Sequence, residues 1–325
     1  MTDFDDLVEK HRAVLRLHCY RMLGSSHDGD DMVQETFVRA FRSRHTLEDP
    51  AAARPWLYRI ATNVCLDELE KRPRRMRGPE LGSAADPDEP PAAPTPDEEW
   101  LEPCPTSWLV PADPAAAYTM KESVALAFVA ALQVLTPPQR AVLLLREVVG
   151  LSAEETAAAL GSSVSAANST LHRARAALEA RVGPRASWSP EADAPVDRAL
   201  LERYMRAWDT GDLDTIVALL HEEATISMPP SPTWIQGRDA VRRFFENRLE
   251  AAALAGVFRG IGLEANGRPA VAFYRRDADG QRRFFAIQVL EVRGGGIAVI
   301  DHFNAKSAHR AFFAAGLPET MATPG

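Results

Sequence analysis

The feature that most constrains the fold of this chain is a run of three short helices predicted between Leu135 and Val182. The start of the first helix is marked by its capping residues. Thr136 supplies an N-cap, Pro137 a first-turn proline and Gln139 the partner of a capping box. The apolar run that follows ends at Gly150. These signals predict a helix that begins at the proline and ends before the glycine.

The second and third helices are separated by a sharp turn. Ser152 and Glu155 form another capping box, so the second helix is predicted to start at about Ala153. It closes at Gly161, the small residue that a tight turn between helices requires. Three helices this short and this close in sequence must pack on one another. Their spacing is typical of a helix-turn-helix that reads DNA.

The third helix has an apolar face and a polar face. The apolar residues recur at steps of three and four, as on a buried helix face; they are Val164, Ala167, Leu171, Ala174 and Leu178. The opposite face begins with short hydrogen-bonding groups and continues with cations, which suits base edges and then phosphates. The predicted DNA-reading residues are Ser163, Ser165, Asn168, Ser169, His172, Arg173 and Arg175. A three-helix packing unit with an ordinary solvated face is the alternative interpretation.

The charge of the chain is unevenly distributed. The net charge is −8 over 325 residues, yet residues 78–120 contain nine Asp or Glu, no Lys or Arg, and ten of the 24 prolines. Such a composition does not form a regular core, so residues 78–119 are predicted to be an acidic, proline-rich linker. The flanking segments are only weakly basic. Tight DNA binding by the chain alone is therefore not expected, and a partner would have to supply much of the affinity.

Two tryptophans, Trp100 and Trp108, interrupt this acidic segment. They indicate either a docking motif or local collapse onto a neighbouring domain of the same chain.

Cysteine usage and the N-terminus restrict the class of protein. Cys19, Cys65 and Cys104 occur without a CxxC pair or a histidine cluster, which argues against disulfides and structural zinc. We therefore expect no metal and no cofactor. The N-terminus lacks a basic start followed by an apolar core, and no window approaches 18 apolar residues. The chain is expected to be cytoplasmic and to have no membrane partner.

Residues 1–77 are predicted to be wholly helical. An apolar stripe from Phe4 to Cys19 predicts a first helix, and the acidic residues Asp28–Asp31 favour the start of a second. On this second helix Val33, Phe37, Ala40 and Phe41 are expected to face inward. A third helix, with Trp56 near its start, ends in a basic tail.

The chain resembles regions 2 and 4 of the extracytoplasmic-function sigma factors in three stretches, DDMVQETFVRAF, WLYRIATNVCLDEL and LTPPQRAVLLLREVVGLSAEETAAALGSSVSAANSTLHRARAAL. These proteins are the promoter-recognition subunits of bacterial RNA polymerase. The resemblance covers residues 1–77 and 120–182 in the family's order. It implies an all-α region 2 that binds core polymerase and the −10 element, and a helix-turn-helix region 4 that binds the −35 element.

The resemblance also implies site residues. Contacts to core polymerase would come from Asp31, Gln34, Glu35 and Arg39. The loop His45–Arg54 and the helix Trp56–Leu69 would read and melt the −10 element. The residues expected to do so are Arg54, Trp56, Arg59, Asn63, Asp67 and Arg72.

A second linker, residues 183–195, precedes an extension over residues 196–320. Helices followed by strands, with turns at Asn266-Gly267, Asp279-Gly280 and Gly294–Gly296, predict an α+β domain with an antiparallel meander. The extension resembles the SnoaL-like family, whose nuclear-transport-factor-two-like fold is a cone with a pocket at its mouth. By this resemblance the residues near a pocket would be Trp208, His221, Met228, Trp234, Tyr274, Gln288, Asp301 and His302. An apolar cone would suit a small organic ligand.

Catalysis by the extension is not expected. Asp301 and His302 are adjacent in a predicted strand and so point to opposite faces. The extension is predicted to regulate the sigma regions through intramolecular contact, with ligand sensing as the other interpretation. Two further alternatives are a polymerase-independent helix-turn-helix regulator and a SnoaL-type isomerase or cyclase fused to a DNA-binding module.

Overall fold

The computed structural model describes residues 4–71, 74–80, 82–96, 99–109, 123–182, 198–249, 254–304 and 306–321. The chain divides into two compact units. The first comprises Met1–Arg75 and Ser107–Pro190, and the second comprises Met76–Thr106 and Glu191–Gly325. The first unit is helical and the second is α+β, so the predicted fold class is confirmed. No helix among these described residues is long and apolar enough to span a bilayer.

The first half of the helical unit contains the helices α1 (Phe4–Leu23), α2 (Ser26–Ser43) and α3 (Ala53–Leu69). The Ser25 hydroxyl caps α2 by accepting a hydrogen bond from the Asp28 amide at 3.0 Å. The Asp28 carboxylate also accepts from Arg75 at 2.7 Å, and both side chains are only 5% exposed. Arg75, in the basic tail after α3, therefore helps to hold this unit together.

The second half contains α4 (Leu126–Gln133), α5 (Pro137–Leu143) with a π-helical continuation (Leu144–Val149), α6 (Ala153–Ala159) and α7 (Val164–Val182). The predicted capping signals are present. The Thr136 amide donates to Gln139 at 3.0 Å, and Ser152 and Glu155 exchange both capping-box bonds at 2.7 and 3.1 Å. Gly150 is left-handed, with φ of 77°, which ends the helix there.

The two halves of the helical unit share one hydrophobic core. Leu57 of α3, Leu144 after α5 and Leu171 of α7 belong to the same buried cluster. Arg140 is buried between the halves and donates to the Met22 carbonyl at the end of α1 and to Gln133. Residues 1–77 and 120–182 were expected as separate domains. In the structure they close on each other because neither set of short helices covers its apolar face alone.

Buried His18 is expected to make the stability of this unit dependent on pH. Its Nε2 lies 2.9 Å from the Thr62 hydroxyl. Burial, with a smaller contribution from the charge of Arg21, lowers the pKa of His18 from 6.5 to about 3. Between these values the unfolded chain binds a proton that the folded chain does not. Stability should therefore fall as the pH drops below 6.5, by about 1.4 kcal/mol per pH unit from this group.

We expect His18→Gln to reduce this pH dependence, since glutamine does not titrate. The measurement is chemical denaturation of both proteins between pH 6.5 and 4.5. If the free energy of unfolding changes equally with pH in both proteins, His18 is not the source of the pH dependence.

The second unit is built on a mixed sheet. Its strands are β1 (Leu220–Met228), β2 (Ser231–Gln236), β3 (Phe258–Ala265), β4 (Arg268–Arg276), β5 (Arg282–Arg293), β6 (Gly296–Phe303) and β7 (Thr320–Met321). The order is β2-β1-β6-β5-β4-β3, and β7 pairs with β5. The meander from β3 to β6 is antiparallel as predicted, whereas β1 and β6 run parallel. The helices of this unit are α8 (Arg198–Thr210), α9 (Leu213–Ala218), α10 (Arg238–Glu246) and α11 (Lys306–Ala314).

Different parts of the chain pack against the two faces of this sheet. One face packs with α8 and α10 around an apolar cluster that includes Trp208 and Ile300. The described residues of 76–106 contact the other face at Gly78 and also reach the α10 side, where Ala85 packs against the cluster and Arg248 donates to the Pro87 carbonyl. Trp100 and Cys104 of this segment are at most 2% exposed. The predicted linker therefore does not behave as a free chain over these residues, because its apolar side chains and its backbone find partners in the sheet.

Candidate nucleic-acid interface

Helix α7 presents its predicted polar face to solvent. Ser163, just before α7, and the polar residues within it are all exposed. They are the residues predicted to read DNA: Ser163, Ser165, Asn168, Ser169, His172, Arg173 and Arg175. The opposite face is buried at Ala167, Leu171, Ala174 and Leu178, each at most 6% exposed. Val164 differs from the prediction: it is 36% exposed because the first turn of α7 projects beyond the core.

The cations of this face have weak partners that DNA phosphates could replace. Arg175 pairs with Glu147 at 2.6 Å while 58% of its side chain is exposed. Arg173 donates to the Thr170 hydroxyl at 3.1 Å. Exposed pairs of this kind contribute at most about 1 kcal/mol, since solvent screens them. The face can therefore give up these bonds at little cost on meeting a duplex.

Three of the residues predicted to read the −10 element lie on one side of α3. Arg59, Asn63 and Asp67 recur at one turn each and are exposed. Trp56 is half-buried and donates its indole N–H to Thr46 in the preceding loop at 3.2 Å. Arg54 is exposed as a residue, but its guanidinium donates to the Val149 carbonyl. Arg72 lies outside the described residues.

The residues predicted to contact core polymerase lie on α2. Asp31 and Gln34 are exposed, whereas Glu35 and Arg39 are half-buried. Arg39 bridges two carboxylates, Glu35 at 2.7 Å and Asp67 of α3 at 2.8 Å. The hydrogen bond to Glu35, and to a smaller extent that to Asp67, raises the pKa of Arg39 above its ordinary value. The bridge links the two predicted surfaces through exposed ion pairs.

The sequence prediction for α2 missed an exposed apolar patch. Phe41 was expected to face inward but is 50% exposed, and Val38 is 44% exposed. The Arg44 guanidinium lies over the Phe41 ring at 4.2 Å, and the Phe4 ring meets its edge at 5.3 Å. Phe41 lies one turn beyond buried Phe37, where α2 has passed the end of the core. Val38 and Phe41 lie about one turn apart, so they form one small exposed apolar patch on α2.

The interior of the second unit contains a chain of three polar side chains. The Tyr204 hydroxyl donates to Gln288 at 2.7 Å, and the Gln288 amide lies 3.0 Å from His302 Nδ1. Burial, then repulsion by His309, lowers the pKa of His302 to about 4, so the ring is neutral at pH 7. Trp208 stacks edge-on against Tyr204 and Phe273. Tyr204 was missed as a site residue, since its sequence position marks it only as part of an apolar stripe.

The other residues predicted for a pocket are not hydrogen-bonded to Tyr204, Gln288 or His302. Asp301 faces the opposite side of the sheet, where it accepts from Ser227 at 2.8 Å and from Arg77 at 2.6 and 3.0 Å. Trp234 lies on that side as well, against Gly78. His221 is exposed at the start of β1.

Two more of these residues lie apart from the interior chain. Tyr274 donates to the Pro318 carbonyl at 2.7 Å, and Met228 is half-buried against the core. The alternation of side chains along strands thus separates the residues that the sequence grouped. No cluster of three or more metal-ligating side chains occurs among the described residues.

Three protein families match successive parts of the chain. The Sigma-70 region 2 model matches residues 7–75, the Sigma-70 region 4 model matches residues 125–178, and the SnoaL-like domain model matches residues 201–300. The order and the positions agree with the resemblances derived from the sequence motifs.

The proteins that are similar over most of the chain are sigma factors. The chain is 40% identical over 320 residues to the ECF RNA polymerase sigma factor SigG of Mycobacterium tuberculosis, which covers 98% of this chain and 85% of that protein. It is 28% identical to SigJ of the same organism, covering 86% of this chain and 85% of SigJ. The crystal structure of SigJ superposes with a TM-score of 0.57 at 24% identity over 93% of this chain and 97% of SigJ, and so shares the fold.

These similarities favour the sigma-factor interpretation over a polymerase-independent regulator. Sigma factors are not enzymes, which agrees with the prediction of a non-catalytic chain. With both sigma regions and the full-length similarity in place, the chain belongs to the extracytoplasmic-function family of RNA polymerase sigma factors, with a SnoaL-like domain after region 4.

Proposed function

We propose that the chain directs bacterial RNA polymerase core to a restricted set of promoters in the cytoplasm. Region 4 would bind the −35 element through the polar face of α7. Region 2 would bind core polymerase through α2 and the −10 element through α3 and its preceding loop. The observation that supports this most directly is the exposure of every predicted DNA-reading residue of α7, above a face that is buried.

Promoter opening by such a chain needs no cofactor. An unstacked base can be held in a protein pocket at a cost of a few kcal/mol. Trp56 in the first turn of α3 and Thr46 in the loop before it offer an aromatic ring and a hydroxyl group for that purpose. Each sigma region is only weakly basic, so each alone would bind DNA weakly. Polymerase would position both regions so that the two weak contacts act together.

The polymerase surface can be tested on α2. We expect Asp31→Ala with Gln34→Ala to weaken association with core polymerase by roughly tenfold, because the few side chains that dominate an interface each contribute more than about 1 kcal/mol. Both residues are exposed, so the fold should be unaffected. Association is measured by titrating core polymerase with labelled protein. Glu9→Ala, an exposed site on α1, serves as the matched control, and equal affinities for all three proteins would refute this surface.

We further propose that the C-terminal unit regulates the sigma regions through protein contacts. Asp301 and His302 lie on opposite faces of the sheet, which favours this role over ligand sensing. In support, residues Met76–Thr106, which follow region 2 in sequence, belong to the compact unit of the C-terminal domain. The test is reconstituted transcription with full-length protein and with a chain ending at Pro190. Equal rates from the cognate promoter would remove the regulatory role.

A further inference from the structure

Two arginines of α7 carry the exposed positive charge of region 4 over the described residues 123–180. The Lys and Arg side chains of this stretch are Arg140, Arg146, Arg173 and Arg175. Arg140 is buried, and half-buried Arg146 donates to the Leu151 carbonyl. Of these four, only Arg173 and Arg175 are exposed. Because proteins hold duplex DNA largely through its phosphates, these two side chains should supply most of the attraction that this stretch exerts on DNA.

The two exposed arginines have partners of different charge. Arg173 donates to the uncharged Thr170 hydroxyl at 3.1 Å, so its positive charge is not compensated by this bond. Arg175 donates through Nε to the Glu147 carboxylate at 2.6 Å, and the two groups form an ion pair of zero net charge. Arg173 therefore attracts phosphate in the free protein, whereas Glu147 largely cancels the charge of Arg175.

The fold holds the Glu147 carboxylate in place. Glu147 lies on the π-helical turn Leu144–Val149, whose residues Leu145 and Val149 are buried in the core. The Glu147 side chain is 14% exposed, against 58% for Arg175. The carboxylate is thus fixed at the edge of the core, while the longer and more exposed arginine side chain is free to turn toward solvent.

Arg175 lies at the flank of the predicted DNA-reading face. At about 100° per residue, α7 places Ser165 and His172 in the middle of that face and Arg175 next to the buried position of Leu171. The middle of a recognition helix faces base edges in the major groove. A long cation at its flank is therefore suited to the phosphates that border the groove.

A phosphate and Glu147 compete for the same guanidinium group. When Arg175 turns to a phosphate, the Glu147 carboxylate loses this cation and stays near a group of like charge. The carboxylate then attracts a cation from solution. A phosphate contact normally releases counterions from DNA, and this release is the main source of its affinity. Because Glu147 takes up a cation in exchange, the contact made by Arg175 adds little net affinity.

We propose that Glu147 competes with DNA phosphates for Arg175 and thereby keeps the free sigma factor from binding tightly to DNA of any sequence. This inference rests on the proposed function, since it gives one reason why region 4 needs polymerase to engage a promoter. Non-promoter sites far outnumber promoters, so a weaker sequence-independent contact leaves more of the protein available for polymerase.

Glu147→Gln tests this competition, because the amide oxygen still accepts a hydrogen bond from Arg175 but carries no charge. We expect the full-length variant to bind a short labelled duplex of unrelated sequence about fivefold more tightly than the unaltered chain, which is the upper range for an exposed ion pair. The plot of log affinity against log salt concentration should steepen by up to about 0.9. Fluorescence anisotropy at several NaCl concentrations measures both quantities, and thermal denaturation checks the fold.

Three further variants separate the ion pair from general effects of charge. Glu9→Gln removes an equal charge from an exposed position of α1, and Thr170→Val removes the uncharged partner of Arg173. Neither should change the slope of the salt plot. In a chain that carries Arg175→Ala, Glu147→Gln should steepen the slope less than about half as much, because no guanidinium group is released toward the phosphates. Equal steepening in both backgrounds would mean that Glu147 acts only through its distant charge, and would overturn the competition.

The remaining outcomes are equally distinct. If Glu147→Gln binds no more tightly than the unaltered chain, binding too weak to measure in both included, the inference is wrong. Weaker binding by Glu147→Gln would also overturn it, by showing that the carboxylate positions Arg175 for DNA. These results leave the proposed function intact as long as the holoenzyme formed with the unaltered chain transcribes from the cognate promoter. Absence of that transcription would instead refute the proposed function.

Discussion

Replacing Asn168 and Arg173 together by alanine is expected to reduce transcription from the cognate promoter by roughly a hundredfold, because each lost contact to a base or phosphate costs about 1–3 kcal/mol. Both residues are exposed on α7, and neither packs in the core. Folding and association with core polymerase should therefore be unchanged. The measurement is reconstituted transcription with matched amounts of holoenzyme.

The two substitutions should differ in how they act. Asn168→Ala should relax the preference for one base pair of the −35 element. Arg173→Ala should weaken binding to all sequences. It should also make the plot of log affinity against log salt concentration less steep, by the slope of about one phosphate contact. Glu179→Ala, on an exposed position of the same helix, is the matched control. If Asn168→Ala/Arg173→Ala transcribes like Glu179→Ala, α7 does not read the promoter.

Replacing Arg140 by methionine is expected to destabilise the helical unit by on the order of 3 kcal/mol, because it leaves several buried carbonyl oxygens without a donor. Arg140 is only 3% exposed. Its guanidinium donates to the Met22 carbonyl, to the Gln133 side chain at 2.6 Å, and to the Gln133 and Leu135 carbonyls. These carbonyls lie at helix ends, where the backbone dipole favours a cation. Burial, before repulsion by Arg74, lowers the pKa of Arg140 to about 10, so the group stays charged at pH 7.

Thermal and chemical denaturation measure this effect. Methionine fills much of the volume of the arginine side chain, so the loss reports on hydrogen bonds more than on packing. Arg42→Met, at an exposed position of α2, is the control and should change stability by less than about 0.5 kcal/mol. A stability loss for Arg140→Met as small as that of the control would mean that Arg140 does not join the two sigma regions.

Local signals in the sequence were sufficient for the helix-turn-helix. Thr136, Ser152 and Gly150 act through bonds within three or four residues or through their own backbone torsions, so their effect does not depend on distant parts of the chain. The spacing of Leu171 and Leu178 predicted which face of α7 is buried, and the DNA-reading residues lie on the opposite, exposed face. The opposite directions of Asp301 and His302 followed from strand alternation in the same way.

Features that depend on distant partners were not predictable. The exposure of Phe41 depends on where the shared core ends, and the burial of Arg140 depends on helix ends from other parts of the chain. The interior position of Tyr204 depends on Gln288 across the sheet.

The sequence by itself determined the helix boundaries, the DNA-reading face and the order of the sigma and SnoaL-like parts, because these follow from capping, periodicity and motifs within short windows. Only the tertiary structure decided the role of residues 76–106. Their acidic, proline-rich composition indicates a free linker, but the sheet offers them an unpaired edge at β2, a buried carboxylate at Asp301 and the turn at Asn266. The composition of a segment indicates whether it can form a core by itself. Whether it is ordered in the protein also depends on the hydrogen-bond partners and apolar surface that the rest of the chain provides.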